Sequence, residues 1–496
     1  MPPAASLHHP PRFRLTFATL MLVVLLSAID ATVLATALPT IVGDLHGVRD
    51  IAWVTTAFML AQLAAAPVYG KLGDVHGSKL ILQAAIVIFL LGSVLSGLAQ
   101  TMVELIAARA VQGAGAAGLM VLVQTIVSGL VAPRERAKYQ SLFAAVYGVA
   151  SVGGPLLGGV LVQNLSWRWI FFVNLPVGLV AEVVLGFVLA AQPRRATAPI
   201  DWRGAATIAG ALSCFAALVT LAGNDFPWLS WPALALLLAS VALTAIALRT
   251  ERTAADPVIP AVVVRNPVFR NGMAQTAAVG AVMFGLVTFT PLYFQVVKRD
   301  SPTTAGVLLA AMMVGMIVSG VWAGRRVSRT GRYRAYPILG FAAMTAGLLM
   351  LASIGIGTPT AFVCLALAVA GAGLGMTMQL ILAVVQTALP RELMGTTTSV
   401  MQVGRGAGNS VGPALLGTVF GAGLGRAAAA DPAAGSHLDH LVRSTYASAL
   451  RPVYLAATVF AAAGLLAAWR LDELPLAATL APAAPVPTDR PAERSV

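Results

Sequence analysis

Residues 103–130 read VELIAARAVQGAGAAGLMVLVQTIVSGL, and this stretch predicts a helix that crosses a membrane. Its residues are mostly apolar or glycine, and Arg109 is the only basic one. A helix needs about 20 predominantly apolar residues to cross a bilayer, so the stretch is long enough. Similar stretches recur along the whole chain. The sequence therefore predicts a bundle of membrane-spanning helices.

We predict fourteen spans of this kind. The stretches are rich in Ala, Leu, Val and Gly and lack the alternating pattern of an outer-membrane barrel strand. Backbone groups in lipid must satisfy their own hydrogen bonds, which a helix does within one segment. The predicted fold class is therefore an all-α membrane protein. The spans lie at about 15–38, 51–72, 79–99, 103–130, 139–164, 169–191, 203–222, 229–249, 269–297, 302–324, 335–355, 359–387, 395–423 and 450–469.

The composition excludes an ordinary soluble protein. Of the 496 residues, 58% are hydrophobic and 10% are charged, whereas a soluble domain carries about 25% charged residues. The formal net charge is +13, but the basic residues lie in short loops between the predicted spans, which argues against a nucleic-acid partner. Cys214 and Cys364 fall inside predicted spans, so they indicate neither a disulfide framework nor a metal site.

The basic residues also predict the orientation of the chain in the membrane. An even number of spans places both termini on one side. Lys and Arg residues outside the spans are concentrated on that side, for example at Arg134, Arg195 and Arg325. Because cytoplasmic loops carry the excess of Lys and Arg, we predict that both termini are cytoplasmic. The first apolar run lacks a small-residue cleavage site, so we interpret it as a retained span.

Two loops indicate an internal repeat. Residues 70–79, after the second span, read GKLGDVHGSK, and residues 324–332, after the tenth, read the weaker copy GRRVSRTGR. Each loop follows the second helix of a set of six, so the chain contains two six-helix halves with two inserted helices between them. We predict an N-terminal six-helix bundle over 1–191, two inserted helices with linkers over 192–264, a C-terminal six-helix bundle over 265–473, and a disordered cytoplasmic tail over 474–496.

Three further motifs carry a family resemblance. The first span contains LSAIDATVLATALP at residues 26–39, an acid followed by Thr-Val and closed by Leu-Pro. The fourth span has Arg109 followed by Gln-Gly at 112–113. The fifth reads GGPLLGG at residues 153–159. Together with the loop at 70–79, these motifs resemble the fourteen-span drug:proton antiporter branch of the major facilitator superfamily. That resemblance implies the major facilitator fold, with Gly154, Pro155, Gly158 and Gly159 as an antiporter motif.

The loop at 70–79 resembles the gating loop of that superfamily. It departs from the pattern at Val75 and Ser78, where the family has arginines, and the second-half copy has Ser328 where an acid is often found. The resemblance therefore leaves the arginine-mediated part of the gating in doubt. As cytoplasmic gate residues it implies Gly70, Asp74, Gly77, Lys79, Arg329 and Arg332.

The resemblance implies a proton-coupled secondary active exporter of drug-like or lipophilic compounds that works by alternating access. Such a protein would use the proton gradient without a cofactor, act as a monomer and reside in a bacterial inner membrane, where it would give multidrug efflux and antibiotic resistance. The alternative is a metabolite or sugar symporter or facilitator of the same fold, against which Asp30 and the motif around Pro155 argue. We find no catalytic constellation or nucleotide-binding domain, so we expect neither an enzyme nor an ATP-driven pump.

Three ionisable residues inside predicted spans are candidates for proton coupling. Asp30 lies roughly 13 Å and Arg109 roughly 10 Å from the outer ends of their spans, at 1.5 Å per residue, so the two could meet. A charge inside the membrane is costly and is by default a functional candidate. The alternative is a static ion pair. Glu182, in the sixth span, is either a second protonation site or a carboxyl group bonded to a neighbouring helix.

The cavity wall is harder to predict than the charged sites. Polar, aromatic and Met residues suit a site that adapts to different ligands, but in apolar helices they more often form core, lipid-facing or interhelical contacts. The candidates are Gln112, Phe284, Tyr293, Gln379, Arg405 and Asn409. His437, Asp439 and His440 lie close together in a predicted external loop at 424–449. We interpret this loop as solvated and predict no metal site.

Overall fold

A computed structural model of the chain describes residues 11–47, 50–190, 201–222, 225–254, 256–430, 438–473 and 476. The described part is helical and contains no β-strand. The predicted tail at 474–496 lies outside the described residues, apart from residue 476.

Seven helices form the N-terminal half. The predicted sixth span is interrupted at Val173 and consists of a single turn followed by a longer helix. Buried apolar side chains of this half form two clusters, one around Phe89 and Phe143 and one around Trp167 and Phe171. The helices are α1 (Pro11–Leu45), α2 (Ile51–His76), α3 (Ser78–Leu98), α4 (Met102–Leu130), α5 (Pro133–Asn164), α6 (Trp169–Phe172) and α7 (Asn174–Val188).

Two helices, α8 (Trp202–Leu221) and α9 (Trp231–Thr253), lie within the segment predicted to contain the inserted pair, and we call them the inserted pair. Side chains cap both amino termini, because Asp201 accepts a hydrogen bond from the Gly204 amide and Ser230 from the Ala233 amide. The pair has a small apolar cluster of its own and packs mainly against α2. Past α9, Asp256 forms an ion pair of 2.5 Å with the buried Lys71 of α2.

The C-terminal half has one large apolar core, which includes the buried rings of Tyr293, Phe294 and Phe341. Its first long helix continues into a π-helical turn at Tyr293–Val297, and a 3₁₀ turn at Arg391–Leu393 precedes the fifth. The helices are α10 (Ala261–Arg265), α11 (Pro267–Leu292), α12 (Pro302–Thr330), α13 (Ala335–Ala352), α14 (Thr360–Ala388), α15 (Met394–Ala430) and α16 (Leu438–Trp469).

The prediction of an external loop at 424–449 is wrong. Helix α15 continues to Ala430 and α16 begins at Leu438, so most of the segment is helical. The four alanines at 427–430 explain the extension of α15, since Ala has the highest helix propensity. His437 lies outside the described residues. No group of three or more His, Cys, Asp or Glu side chains in the described part of the chain is placed to hold a metal ion.

Twelve helical segments in the described residues are long and apolar enough to cross a membrane. Helices α2 and α15 are long but are not among these twelve. Both carry polar residues toward the space between the halves, including Thr55 and Gln62 from α2 and Gln402 and Asn409 from α15. These polar residues lower the mean hydropathy of the two helices.

The predicted repeat is visible in the backbone. Among the described glycines, only Gly77 and Gly331 have a positive φ, of 90° and 73°, and each ends the second helix of its half. A Cβ added at Gly70 of α2 would lie 2.5 Å from the Gly395 carbonyl oxygen of α15, and one at Gly324 of α12 would lie 2.7 Å from the Ala137 carbonyl oxygen of α5. The second helix of each half therefore packs closely against the fifth helix of the other.

Both ends of the described chain lie at one end of the bundle, which we call the terminal end. Near the start of α1, the Phe17 ring packs edge-on against Tyr139, close to the start of α5. Arg134, also at the start of α5, donates a hydrogen bond to the Arg329 carbonyl oxygen at the end of α12. Just beyond α12, the Tyr333 hydroxyl donates to the Asp472 carbonyl oxygen after α16, at 2.6 Å.

Candidate functional site

A cavity of about 870 Å³ lies between the two halves. Its wall is mostly apolar. Residues of α1, α2, α4 and α5 face residues of α11, α12, α14 and α15 across it. The inserted helix α8 also contributes, through Ala216, Val219 and Thr220, and Trp228 follows in the turn before α9. The wall therefore contains parts of both halves and of the inserted pair.

The carboxylate of Asp74 joins the halves at the terminal end. It accepts hydrogen bonds from the backbone amides of Gly395 and Thr396, each at 2.7 Å. These amides belong to the first turn of α15, where unpaired N–H groups and the helix dipole favour an anion. Gly70 allows the close approach of α2 to this turn. The gate residues Gly70 and Asp74 are thus brought together at an interface between the halves.

The other predicted gate residues do not cross the interface by their side chains. Lys79 donates from Nζ to the Gly186 carbonyl oxygen of α7, within the N-terminal half. Arg329 contributes its backbone carbonyl, and the side chains of Arg329 and Arg332 are exposed. Gly77 supplies the bend between α2 and α3. Ser328 stands four residues after Gly324, as Asp74 does after Gly70, and provides no carboxylate.

A second polar network joins the halves beside Asp74, and sequence reasoning missed it. Arg136, which lies between the predicted spans at 103–130 and 139–164, is 1% exposed. Its Nε donates to the Ser128 carbonyl oxygen and its guanidinium nitrogen NH1 to the Gln386 carbonyl oxygen of α14, both at 2.9 Å. The Ser128 hydroxyl donates to Gln386 Oε1 at 2.6 Å. Gln402 Nε2 donates to Gln124 Oε1 at 3.1 Å. The cavity is therefore closed toward the terminal end.

Asp30 and Arg109 form a buried ion pair, as the depth argument predicts. NH1 of Arg109 donates to Asp30 Oδ2 at 2.7 Å and to Gln112 Oε1 at 2.6 Å. Gln112 Nε2 donates in turn to Asp30 Oδ1 at 2.7 Å. Gln112, predicted as a cavity residue, is fully buried and is a partner of the ion pair instead.

Two further residues complete this cluster and were missed by the sequence analysis. Asn174 Nδ2, at the start of α7, donates to Asp30 Oδ1 at 2.8 Å and to Ser93 Oγ of α3 at 3.1 Å. The only signal was the presence of a hydrogen-bonding side chain at each of these positions in a largely apolar span. The carboxylate of Asp30 therefore accepts from three donors on two helices, α4 and α7.

The ion pair lies beside the cavity rather than in it. Arg109 contributes to the cavity wall, but Asp30 does not. The Phe58 ring packs on the guanidinium group of Arg109, with 4.3 Å from Cζ to the ring centroid. Ser27, three residues before Asp30 in α1, and Ala31, the residue directly after it, line the cavity.

Glu182 lies apart from this cluster. Its Oε1 accepts a hydrogen bond from Gln83 Nε2 of α3 at 3.0 Å, and Oε2 has no partner. It is half-buried and does not line the cavity. This geometry matches a carboxyl group bonded to a neighbouring helix, and a role for Glu182 in proton coupling stays a prediction.

The glycine-rich motif of α5 packs against α1. A Cβ added at Gly154 would lie 2.0 Å from Thr32 Oγ1, and one at Gly158 would lie 2.3 Å from Thr36 Oγ1. The Thr32 hydroxyl also donates to the Ala150 carbonyl oxygen at 3.0 Å. By contrast, a Cβ at Gly159 would meet nothing within 4 Å. Pro155 lies inside the helix between the two close contacts.

The remaining cavity candidates divide in two. Phe284, Arg405 and Asn409 line the cavity. Tyr293 and Gln379 are not among its lining residues, which corrects their prediction as cavity residues. The Tyr293 hydroxyl donates to the Gly355 carbonyl oxygen at 2.9 Å inside the C-terminal half, and Gln379 is 2% exposed. Their helices supply cavity residues, but periodicity alone does not give the rotation of a helix in the bundle.

Residues 20–413 match the family model described as Major Facilitator Superfamily. The chain belongs to the major facilitator superfamily. It is 34% identical over 484 residues to an uncharacterised MFS-type transporter of Mycobacterium tuberculosis (strain H37Rv), covering 94% of this chain and 70% of that protein. It is 34% identical over 412 residues to the multidrug transporter protein MdtP of Bacillus subtilis (strain 168), covering 82% of this chain and 75% of MdtP.

The fold of this major facilitator protein also matches a solved structure. The crystal structure of the human organic anion transporter MFSD10 superposes with a TM-score of 0.64 at 14% sequence identity, covering 91% of this chain and all of the other. At that identity the likeness shows the fold alone. The chain is thus an all-helical, multi-pass transporter of the superfamily.

Proposed function

We propose that this protein is a proton-coupled antiporter that exports drug-like or lipophilic compounds by alternating access. The observation that carries the proposal is the buried cluster of Asp30, Arg109 and Gln112 at the edge of the cavity. Relatives named as multidrug transporters or multidrug resistance proteins favour the same activity. The motif around Pro155 favours export over a symporter of the same fold. No cofactor is needed in this proposal.

The cluster offers a physical route from protonation to helix movement. The Asp30 carboxylate accepts hydrogen bonds from Arg109, Gln112 and Asn174. A proton on Asp30 removes the negative charge that pairs with Arg109 and adds an O–H donor among three donor groups, which weakens the bonds to Arg109, Gln112 and Asn174. Because these partners lie on α4 and α7, protonation loosens the contact of α1 with them. Helix α1 also packs against the glycines of α5, so a movement of α1 changes its contact with α5 as well as its contacts with α4 and α7.

We further propose fourteen spans, with α2 and α15 completing the twelve apolar helices. Their polar faces line the cavity or the interface between the halves and need not face lipid. The excess of Lys and Arg at the terminal end supports a cytoplasmic position for that end. The structure would then have its cavity closed toward the cytoplasm, as in an outward-facing state of a monomer in the bacterial inner membrane.

The topology can be tested with reporters at the carboxyl terminus. We expect green fluorescent protein fused after Val496 to fluoresce and alkaline phosphatase fused there to be inactive, since the first matures in the cytoplasm and the second only outside it. A fusion after Arg168, predicted to lie on the outer side, should give the opposite pattern. An active phosphatase at Val496 would contradict the cytoplasmic assignment.

The direction of coupling can be tested in proteoliposomes. We expect lipophilic dyes added outside to accumulate in vesicles whose lumen is acidic, and expect each addition of a substrate to release luminal protons, reported by an encapsulated pH-sensitive dye. A protonophore should abolish accumulation. Net movement of substrate in the same direction as protons would replace the antiporter by the symporter alternative.

A further inference from the structure

The charge of Arg405 is unusual within the cavity. Arg405 lies in α15 and lines the cavity wall. Eleven residues separate it from the start of the helix at Met394, a rise of about 17 Å at 1.5 Å per residue. Within the part of the chain that the structure describes, its side chain forms no ion pair and donates no hydrogen bond to the protein. Arg405 is therefore an uncompensated cation deep in the bundle.

The other cation of the wall is compensated. Arg109 is paired with Asp30 and bonded to Gln112, so its charge is balanced inside the N-terminal half. Among the described residues, those that line the cavity include Arg109 and Arg405 but no Asp or Glu. The titratable group that faces Arg405 from the opposite half is Tyr147 of α5, whose hydroxyl donates to Met120 Sδ at 3.0 Å. The cavity thus carries a net positive charge at Arg405.

An unpaired guanidinium at this depth points to a ligand. Buried charges in proteins are paired or hydrogen-bonded, and charged residues within membrane helices are rare and functional. A structural role for Arg405 would place a carbonyl oxygen or a carboxylate within hydrogen-bonding distance of the guanidinium group. Instead the group faces a cavity, where water or an anion can accept its N–H groups. Asn409, one turn along the same face of α15, also lines the cavity and presents an amide beside it.

The rest of the wall fits an apolar body. Met283, Phe284 and Phe289 of α11, Met316 of α12 and Met378 of α14 line the C-terminal side. Aromatic rings and flexible thioethers adapt to apolar groups of different shape. We infer that the cavity binds amphipathic organic anions, with a carboxylate, sulfonate or phosphate group held by Arg405 and the apolar part held by these side chains.

This inference deepens the proposed export function by naming a substrate class, but binding of the anion does not depend on proton coupling. Arg405 belongs to the C-terminal half and the Asp30 cluster to the N-terminal half. A binding measurement without a proton gradient therefore tests Arg405 alone, whereas the vesicle experiment above tests coupling.

A matched pair of fluorescent probes provides the test. 1-Anilinonaphthalene-8-sulfonate carries a sulfonate, and N-phenyl-1-naphthylamine has the same two ring systems without it. We expect the purified protein in lipid nanodiscs to bind the sulfonate at least about tenfold more tightly than the neutral probe, after subtraction of empty nanodiscs, since hydrogen bonds to charged groups are the stronger class. Equal affinities of the wild-type protein for the two probes would overturn the inference without any variant.

Variants then locate the preference. We expect Arg405→Gln to remove the preference for the sulfonate probe over the neutral probe. Arg405→Lys should keep part of this preference, because Lys retains the charge but not the planar set of N–H donors. Arg252→Gln, at an exposed position on α9, is the control and should keep it. An unchanged preference in a folded Arg405→Gln protein would contradict the assignment. Displacement of the sulfonate probe by chloride as effectively as by dodecyl sulfonate would show an inorganic anion site instead.

Discussion

We expect Asp30→Asn to eliminate uphill transport driven by a pH gradient while the protein still folds and binds ligand. The amide keeps the volume of the carboxyl group but has no group that ionises. Arg109 retains its bond to Gln112 Oε1, so it is not left without a partner. The measurement is dye accumulation in acid-loaded proteoliposomes, together with substrate-induced proton release in detergent. Asp30→Glu should retain part of the activity, because it keeps an ionisable group.

Asp44 offers a matched control on the same helix. Its carboxylate accepts from Trp167 Nε1 at 2.8 Å, and an amide oxygen at that position could accept the same bond. Asp44→Asn should therefore transport at close to the wild-type rate. If Asp30 and Arg109 formed only a structural pair, Asp30→Asn would instead fold poorly, because breaking a buried pair costs about 3–5 kcal/mol. Wild-type coupling in a well-folded Asp30→Asn protein would remove Asp30 from the mechanism, and Glu182 would be tested next.

The second large effect is expected at Gly158. Its Cβ position is 2.3 Å from Thr36 Oγ1 and 2.8 Å from both Val33 Cγ2 and the Val33 carbonyl oxygen. Gly158→Trp must push α1 away from α5, and overpacking of a close contact typically costs about 1–3 kcal/mol or more. Because α1 carries Asp30, displacement of α1 should abolish efflux even where the protein inserts into the membrane. Efflux is measured with a fluorescent dye in cells, normalised to protein in the membrane fraction.

A substitution at the neighbouring Gly159 distinguishes the effect of packing against α1 from the effect of replacing a glycine. Apart from its chain neighbours and the backbone of its own helix, no described residue lies within 4 Å of the Cβ position of Gly159, so Gly159→Trp should retain most of the efflux. Both substitutions add the same side chain to the same helix, one residue apart. Equal efflux by the two variants would show that the contact between α1 and α5 does not limit transport.

The ion pair of Asp30 and Arg109 and the internal repeat were predictable because they depend on residue counts and motif spacing, which can be read directly from the sequence. Depth along a span follows from residue count, so Asp30 and Arg109 could be placed at one level. The two loop copies share a spacing, and the structure gives both a glycine of positive φ at the corresponding place. The family match likewise agrees with motifs that are local in sequence.

The features that were missed depend on how helices are rotated and paired. Arg136 looks like a loop charge because its sequence neighbours are charged, yet its partners Ser128 and Gln386 come from other helices. Ser93 and Asn174 carry no motif, and only the packing of α3 and α7 against α1 brings them to Asp30. Tyr293 was assigned to the cavity from its residue type, whereas the rotation of α11 points it into the C-terminal half.

The ion pair between Lys71 and Asp256 has a mechanical consequence. Lys71 belongs to α2, and Asp256 lies between the inserted pair and the C-terminal half, so the salt bridge fastens the far end of the insert to the first half. Lys71 is buried, whereas Asp256 is 22% exposed, and leaving a buried cation without its partner is costly. The inserted helices would then move together with the N-terminal half in each transport cycle. The bend between the inserted pair and the C-terminal half would fall at α10, a helix of five residues between Pro260 and Pro267. Each proline has a fixed φ and so restricts the backbone on its side of α10.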